Sequence, residues 1–276
     1  MSEYYHSRGL VLRSEPWREG DRLATILTRD YGKVRLQIKS GLKSGHKLSG
    51  HLEPLTLTDI SWARTRYGDT AIEASAVEGF YGLKNNLDLL KLALDGNQLL
   101  EKFAPEGHSE NNLYELGLRW WWLLKGLAGK SDVIPEGTQQ RGCLESVGDQ
   151  DTIKLQIPAC AGMTKGTEAV LGAQTITAAF QWQVLKQEGL APETGRCVVC
   201  GREMGTEGGA LDAEAGGFKH RECGDSAGQI YTPAILKILD QFLTKPLEFW
   251  RGKSVPAADL TVLEGLWREF VVFRVD

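Results

Sequence analysis

No run of about 18 uncharged apolar residues occurs anywhere in the chain, so no helix is expected to span a membrane. The opening MSEYYHSRGLVLRSEPW lacks a cationic leader followed by an apolar stretch, and no export signal is expected. Cysteine is scarce. Five residues, an odd number, suit a reducing cytoplasm better than a disulfide framework. A phosphate loop is missing too, because Gly126-Leu-Ala-Gly129-Lys130-Ser131 has the wrong spacing for GxxxxGK followed by Ser or Thr. No Ser-His-Asp or Cys-His arrangement can be assigned, so nothing points to an enzyme.

The most informative absence is local. Between Tyr31 and Leu52 there is not one carboxylate, although the whole chain carries a formal charge of -4. This stretch, YGKVRLQIKSGLKSGHKLSGHL, holds Lys33, Arg35, Lys39, Lys43 and Lys47, with His46 and His51 besides. A single-sign run inside an acidic protein usually has a partner of the opposite sign. Overall acidity argues against indiscriminate polyanion binding, so any nucleic-acid contact should be local. Val34, Leu36 and Ile38 alternate with Lys33, Arg35, Gln37 and Lys39, the pattern of a strand with one wet face. Gly41, Gly45 and Gly50 then sit among serines and lysines, which reads as a mobile cationic loop.

What is present elsewhere suits a soluble globular fold, with 42% hydrophobic and 25% charged residues and length enough for two domains. Residues 1 to about 80 read as all-β. Alternating runs begin at Leu10, Leu23, Lys33, Leu55 and Ala71, with turns at Asp30-Tyr31-Gly32 and Arg66-Tyr67-Gly68-Asp69. Five short strands in this length suggest a small closed barrel of the oligonucleotide-binding type, able to fold alone, and an open sandwich would show the same pattern. From Phe80 the period changes to helical. Leu83, Leu87, Leu90 and Leu94 share a face that continues through Leu99, Leu100 and Phe103 to Pro105. Asn111 can cap a second helix carrying Trp120-Trp121-Trp122, of which two indoles are expected in the core and one at a surface.

Residues 129–174 show no sustained period, and hold Cys143 and Cys160 outside any motif. They read as a disordered, dispensable insertion, and IPACAGMTKG resembles the translated remnant of a mobile repeat element. Helical spacing returns at Thr175, with Thr177 as a cap. Thr232-Pro233 starts a further helix, and Leu260, Leu263, Trp267, Phe270 and Val271 mark the last. The fold class is therefore α+β: an N-terminal barrel, residues 1–80, and a mostly helical domain, residues 81–276.

Embedded in the second domain, within residues 196–224, Cys197-Val-Val-Cys200 and His220-Arg-Glu-Cys223 form two pairs of metal-ligand spacing, nineteen residues apart. Four protein ligands would complete a tetrahedron and leave no open position, so a bound zinc ion would be structural.

This order of parts resembles the RecO family of bacterial recombination mediators. The likeness rests on Arg8-Gly9-Leu10-Val11-Leu12, Ser14-Glu15-Pro16-Trp17-Arg18-Glu19, Gly41 to Lys47, Gly50-His51-Leu52-Glu53-Pro54, Cys197-x-x-Cys200-Gly201, and Gly216-Gly217. It departs from the family at His220, where cysteine is usual, and in the 129–174 insertion. The resemblance implies a DNA repair and recombination protein that binds single-stranded DNA, with double-stranded DNA as a further ligand. It also implies annealing of complementary strands and, with RecR, loading of recombinase onto strands coated by single-strand-binding protein. A cytoplasmic, nucleoid-associated bacterial setting goes with it. Lys33, Arg35, Lys39, Lys43 and Lys47, with Arg13 and Arg64, are the expected phosphate contacts; Tyr31, Trp17 and Tyr67 are the candidate stacking residues, for each of which burial habit favours a place in the core. The alternative is a zinc-containing protein-protein adaptor whose barrel binds a peptide.

Overall fold

The computed structural model describes residues 3–43, 45–66, 68–108, 111–128, 167–224 and 229–275. Five strands form the front of the chain: β1 (Glu3–Trp17), β2 (Asp21–Thr28), β3 (Gly32–Ile38), β4 (Thr56–Thr65) and β5 (Gly68–Glu78). They close into a barrel of order β1-β2-β3-β5-β4. The long β1 serves two neighbours, pairing with β4 through its first half and β2 through its second, with a register shift between Val11 and Arg13. Parallel pairing of β3 with β5 at Gln37 and Thr70 makes the closure.

Alternation sends Val11, Ile26, Val34, Leu36, Ile38, Ile60 and Trp62 into the barrel. The opposite face of the same strands is also buried where helices cover it. Leu10, Leu12, Leu27, Leu55 and Leu57 belong to one core that continues through the helical part. This double burial explains the unbroken apolar run Leu10-Val11-Leu12. It also corrects the expectation of a self-sufficient barrel, since a 1–80 fragment would expose those five leucines to water.

Among the described residues the α-helices that follow are α1 (Tyr81–Lys84), α2 (Leu87–Phe103), α3 (Asn111–Leu127), α4 (Thr167–Gln187), α5 (Pro233–Thr244) and α6 (Ala257–Val275). The leucine face expected to run on from Leu83 is broken, because Asn86 caps α2 by accepting from the Asp88 and Leu89 amides. That resets the helical phase. Leu89, Ala93, Gly96, Asn97 and Leu100 face inward, while Leu87 is 83% exposed. Helix α4 begins at Thr167, not Thr175, so residues 167–174 belong to the fold, and a deletion meant to spare it must end before Thr167. Residues 129–166, with Cys143 and Cys160, lie outside the described residues. Thr177 is no cap; it sits inside α4 and accepts from the Trp120 indole at 3.3 Å. Thr232 does cap α5, accepting from the Ile235 amide, with Pro233 in the first helical turn.

Helix α4 lies at the centre, buried on most sides through Ile176, Ala179, Phe180, Trp182, Val184 and Leu185. Trp120 stacks on Phe180 with ring centroids 4.2 Å apart, and its indole fills the space a side chain at Gly96 would need. Trp121 is buried as well, whereas Trp122 is only partly so.

One polar side chain ties barrel to helices. Buried Asn97 donates to the Leu12 carbonyl at 3.1 Å and accepts from the Trp121 indole at 3.0 Å. Asn97→Ala leaves both partners buried and unpaired, and should cost about 2–4 kcal/mol. A urea midpoint unchanged from that of the parent chain would show that this link is dispensable.

Among the described residues, no helix is long and apolar enough to cross a membrane.

Candidate metal centre and cationic barrel face

A three-stranded sheet, order β7-β6-β8, carries the cysteine-rich segment: β6 (Gly209–Asp212), β7 (Gly217–Lys219) and β8 (Ile230–Tyr231). Asp212 closes the β6–β7 turn. It accepts from the Ala215 amide and from the Lys219 amine, both at 2.9 Å. These donors, the Ala215 amide foremost, hold its carboxyl below the usual range. Val198 donates to the Phe218 carbonyl and Phe218 to that of Glu193, so the first cysteine turn lies along β7. Buried Phe218 joins the helical core and packs edge-on against Tyr231. The knuckle is thereby fastened to the domain behind it.

Each ligand pair is shaped by its own turn. Gly201, at φ +71°, donates to the Cys197 carbonyl at 2.9 Å, a backbone state glycine adopts without strain. The second pair sits on a single 3-10 turn, Arg221–Cys223. As a result the ligand atoms of Cys197, Cys200, His220 and Cys223 all lie within 4.8 Å of one another. His220 Nδ1 stands 3.4 Å from Cys200 Sγ and 3.8 Å from Cys223 Sγ. A tetrahedral zinc site has N···S edges of about 3.5 Å, given its usual bond lengths, so the cluster fits such an ion. The set expected from sequence is brought together whole, and it could hold a metal ion.

The supporting contacts were not legible in the sequence. His220 Nε2 lies 3.0 Å from the Glu203 carbonyl, which can only accept. The proton therefore belongs on Nε2, leaving Nδ1 free to ligate. Arg202 donates to Cys200 Sγ at 3.4 Å and to Glu222 at 3.0 Å. The guanidinium pulls the Cys200 thiol down to about 6, readying it as a thiolate. Burial pushes Cys223 up to about 11. At Cys197 burial acts upward too, but amides of Cys200, His220 and Val199 outweigh it and the thiol is lowered.

On the barrel the predicted cations divide. Lys39, Lys43 and Lys47 are exposed and make no ion pair among the described residues. The segment bearing them, which the glycines suggested as a mobile loop, carries its own backbone hydrogen bonds. A run of turns builds it, in which the Lys43 amide donates to Ser40, His46 to Lys43, and Ser49 to His46. Asp21 pins its root, accepting from the Ser40 amide at 2.7 Å and the Gln37 side chain at 2.6 Å. The same two donors, in that order, lower the Asp21 carboxyl.

Lys33 corrects the wet-face reading. It is only 9% exposed, and its amine donates to the Glu101 carbonyl at 2.7 Å. The cause lies far along the chain: residues 105–107 run beside β3, with the Lys33 amide donating to Pro105 and the Gly107 amide to Lys33. Arg35 stays half-exposed, 3.4 Å from Glu106. Arg13 pairs with Glu15 at 2.5 Å and reaches Glu101 at 3.9 Å. Arg64 is engaged twice, by Asp69 and by the Tyr5 ring beneath its guanidinium. Of the candidate stacking residues, Tyr31 is locked edge-on against Tyr5 and Trp62, Trp17 is 41% exposed, and Tyr67 lies outside the described residues.

Comparison with known proteins gives a consistent answer. A family model described as Recombination protein O N terminal matches residues 1–80, and one described as Recombination protein O C terminal matches residues 167–276. A DNA repair protein RecO from Rubrobacter xylanophilus is 29% identical over 223 residues, covering 81% of this chain and 73% of the relative. Proteins of the same name from Desulforudis audaxviator and Desulforamulus reducens are 25% and 24% identical, spanning 92% and 99% of this chain and 85% and 90% of their own lengths.

Proposed function

The chain belongs to the RecO family of DNA repair proteins, and from that premise we propose that it binds single-stranded DNA on its barrel and anneals complementary strands. The observation that carries this reading is the exposed triad Lys39, Lys43 and Lys47, held on a turn-built loop at the end of β3. Ammonium groups presented this way displace condensed counterions from a phosphate chain, which favours binding with little regard to base sequence. Annealing then needs no fuel, because screening two strands removes the repulsion that keeps them apart. Strand order in the front sheet supports an oligonucleotide-binding-type barrel, with residues 1–80 as the nucleic-acid unit and 81–276 as the supporting unit.

The same reading takes the Cys3His knuckle as a structural zinc site, the protein as non-catalytic, and its setting as cytoplasmic and nucleoid-associated. All four ligand positions would be filled by the chain, so the ion would brace the fold and activate no water. Recombinase loading with RecR on strands coated by single-strand-binding protein completes the role that family membership suggests. The test is annealing of two complementary labelled oligonucleotides without nucleotide. Acceleration by stoichiometric protein is expected, and no acceleration across a range of salt would overturn the annealing role.

Asp21 gives a sharper check on the loop. Asp21→Ala removes a negative charge beside the loop, yet it frees the loop root at Ser40 and Gln37. Anisotropy titrations should therefore show oligonucleotide affinity falling about threefold, because ordering the loop then opposes binding. A rise in affinity would mean that charge alone matters there.

A further inference from the structure

Beside β3 the structure holds an open cleft of about 770 Å³ between the barrel and helix α2. Its barrel wall carries Arg13, Lys33 and Arg35, and its helical wall Gln98, Glu101 and Lys102. Leu94 and Pro54, both partly exposed, supply apolar surface to its lining. Four cations and one carboxylate line it, and with Glu15 and Glu106 beside its arginines the recess keeps a small positive excess in an acidic protein. Arg35 and Lys39 lie on the same side of β3 and its extension, so the recess continues the line of the basic loop.

Its arginines are not idle. Glu106 holds Arg35, while Glu101, with Glu15, holds Arg13. Lys102 is exposed on the far wall, one residue beyond Glu101. A carboxylate on a guanidinium has the same fork geometry and charge sense as a phosphate oxygen pair.

We propose that this cleft receives the phosphodiester chain arriving from the basic loop, that Lys102 and Gln98 form its far wall, and that Glu101 and Glu106 are internal counterions the phosphates displace. The inference rests on the single-stranded DNA reading above and extends the site from the barrel onto the helical domain. A consequence follows for selectivity. Exchanging an ion pair for a phosphate contact gains little free energy, so the cleft closes on a strand already anchored by the loop and leaves stray anions alone. Apolar surface in its lining suits unpaired bases, which a duplex keeps inside its stack.

The experiment uses the full chain, a labelled 20-mer of single-stranded DNA and anisotropy at several salt concentrations. The double variant Glu101→Gln with Glu106→Gln keeps the side-chain shapes and the Glu101 main-chain carbonyl. It should bind about fivefold more tightly at low salt, with a salt slope steeper by about 0.7 for the release of Arg35, since Glu15 still holds Arg13. Lys102→Glu, at an exposed position, should bind about tenfold more weakly. If the parent chain binds while the double variant matches it and Lys102→Glu loses nothing, the cleft is not on the path, although the loop stands. If the parent chain binds no oligonucleotide, the underlying reading fails and the cleft with it.

Discussion

Changing Lys39, Lys43 and Lys47 together to Ala should weaken single-stranded DNA binding regardless of base sequence. The salt slope should also flatten, by about 2 in total, at about 0.7 per phosphate contact on single strands. The three side chains are exposed and make no ion pair among the described residues, so their removal leaves no group unpaired and folding should be unaffected. The slope matters more than the affinity. A loop that merely shapes a neighbouring site would lower affinity without altering the number of counterions released. An unchanged slope removes the loop from the interface. Arg64→Ala serves as a contrast, since that guanidinium is already held by Asp69 and Tyr5 and should shift the slope least.

Cys197→Ser should lose the metal and loosen the second half of the molecule. Cys197 is buried, and its backbone ties to both Arg202 and Gly201, so it sits at the root of the first turn. Without an ion, three thiols and an imidazole within 4.8 Å have little to hold them together, and the covering of Phe218 loosens. Structural zinc sites contribute folding free energy directly. A loss of about 2–3 kcal/mol lowers Tm by roughly 5–10 °C in a protein of this size. Metal analysis should find about one zinc per parent chain and none in the variant. A chelator should lower the parent Tm to that of the variant while sparing the variant itself. Equal metal content in both proteins, or a parent indifferent to chelation, would contradict the assignment. Oligonucleotide binding should survive, because the loop lysines lie on the barrel.

The sequence made the periodic parts of this structure legible. Alternation in Val34, Leu36 and Ile38 marked β3, Thr232-Pro233 marked the start of α5, and the two x2-spaced pairs marked the complete set of side chains that could hold a metal ion. These signals are local, written within a few residues of the feature they specify. What was missed depends on segments distant in the chain. Lys33 turns inward because residues 105–107 dock beside β3 and Glu101 presents a carbonyl. No period within β3 could show that. Leu87 is exposed because a single asparagine cap shifts the helical phase. The start of α4 at Thr167 was hidden by Gly172 and by the aperiodic residues before it, and Thr177, expected as a cap, lies inside the helix and accepts from the Trp120 indole. The carboxylates that hold Arg13 and Arg35 come from β1, α2 and the segment after α2, so charge counting within one stretch overstated how much of the barrel face is bare.

The most direct measurement is a titration of the purified parent chain with a labelled single-stranded oligonucleotide in dilute buffer and again at physiological salt. Tight binding in the first, falling steeply in the second, is what a cationic barrel face gripping phosphates requires. An oligonucleotide that stays free in dilute buffer at micromolar protein would contradict it.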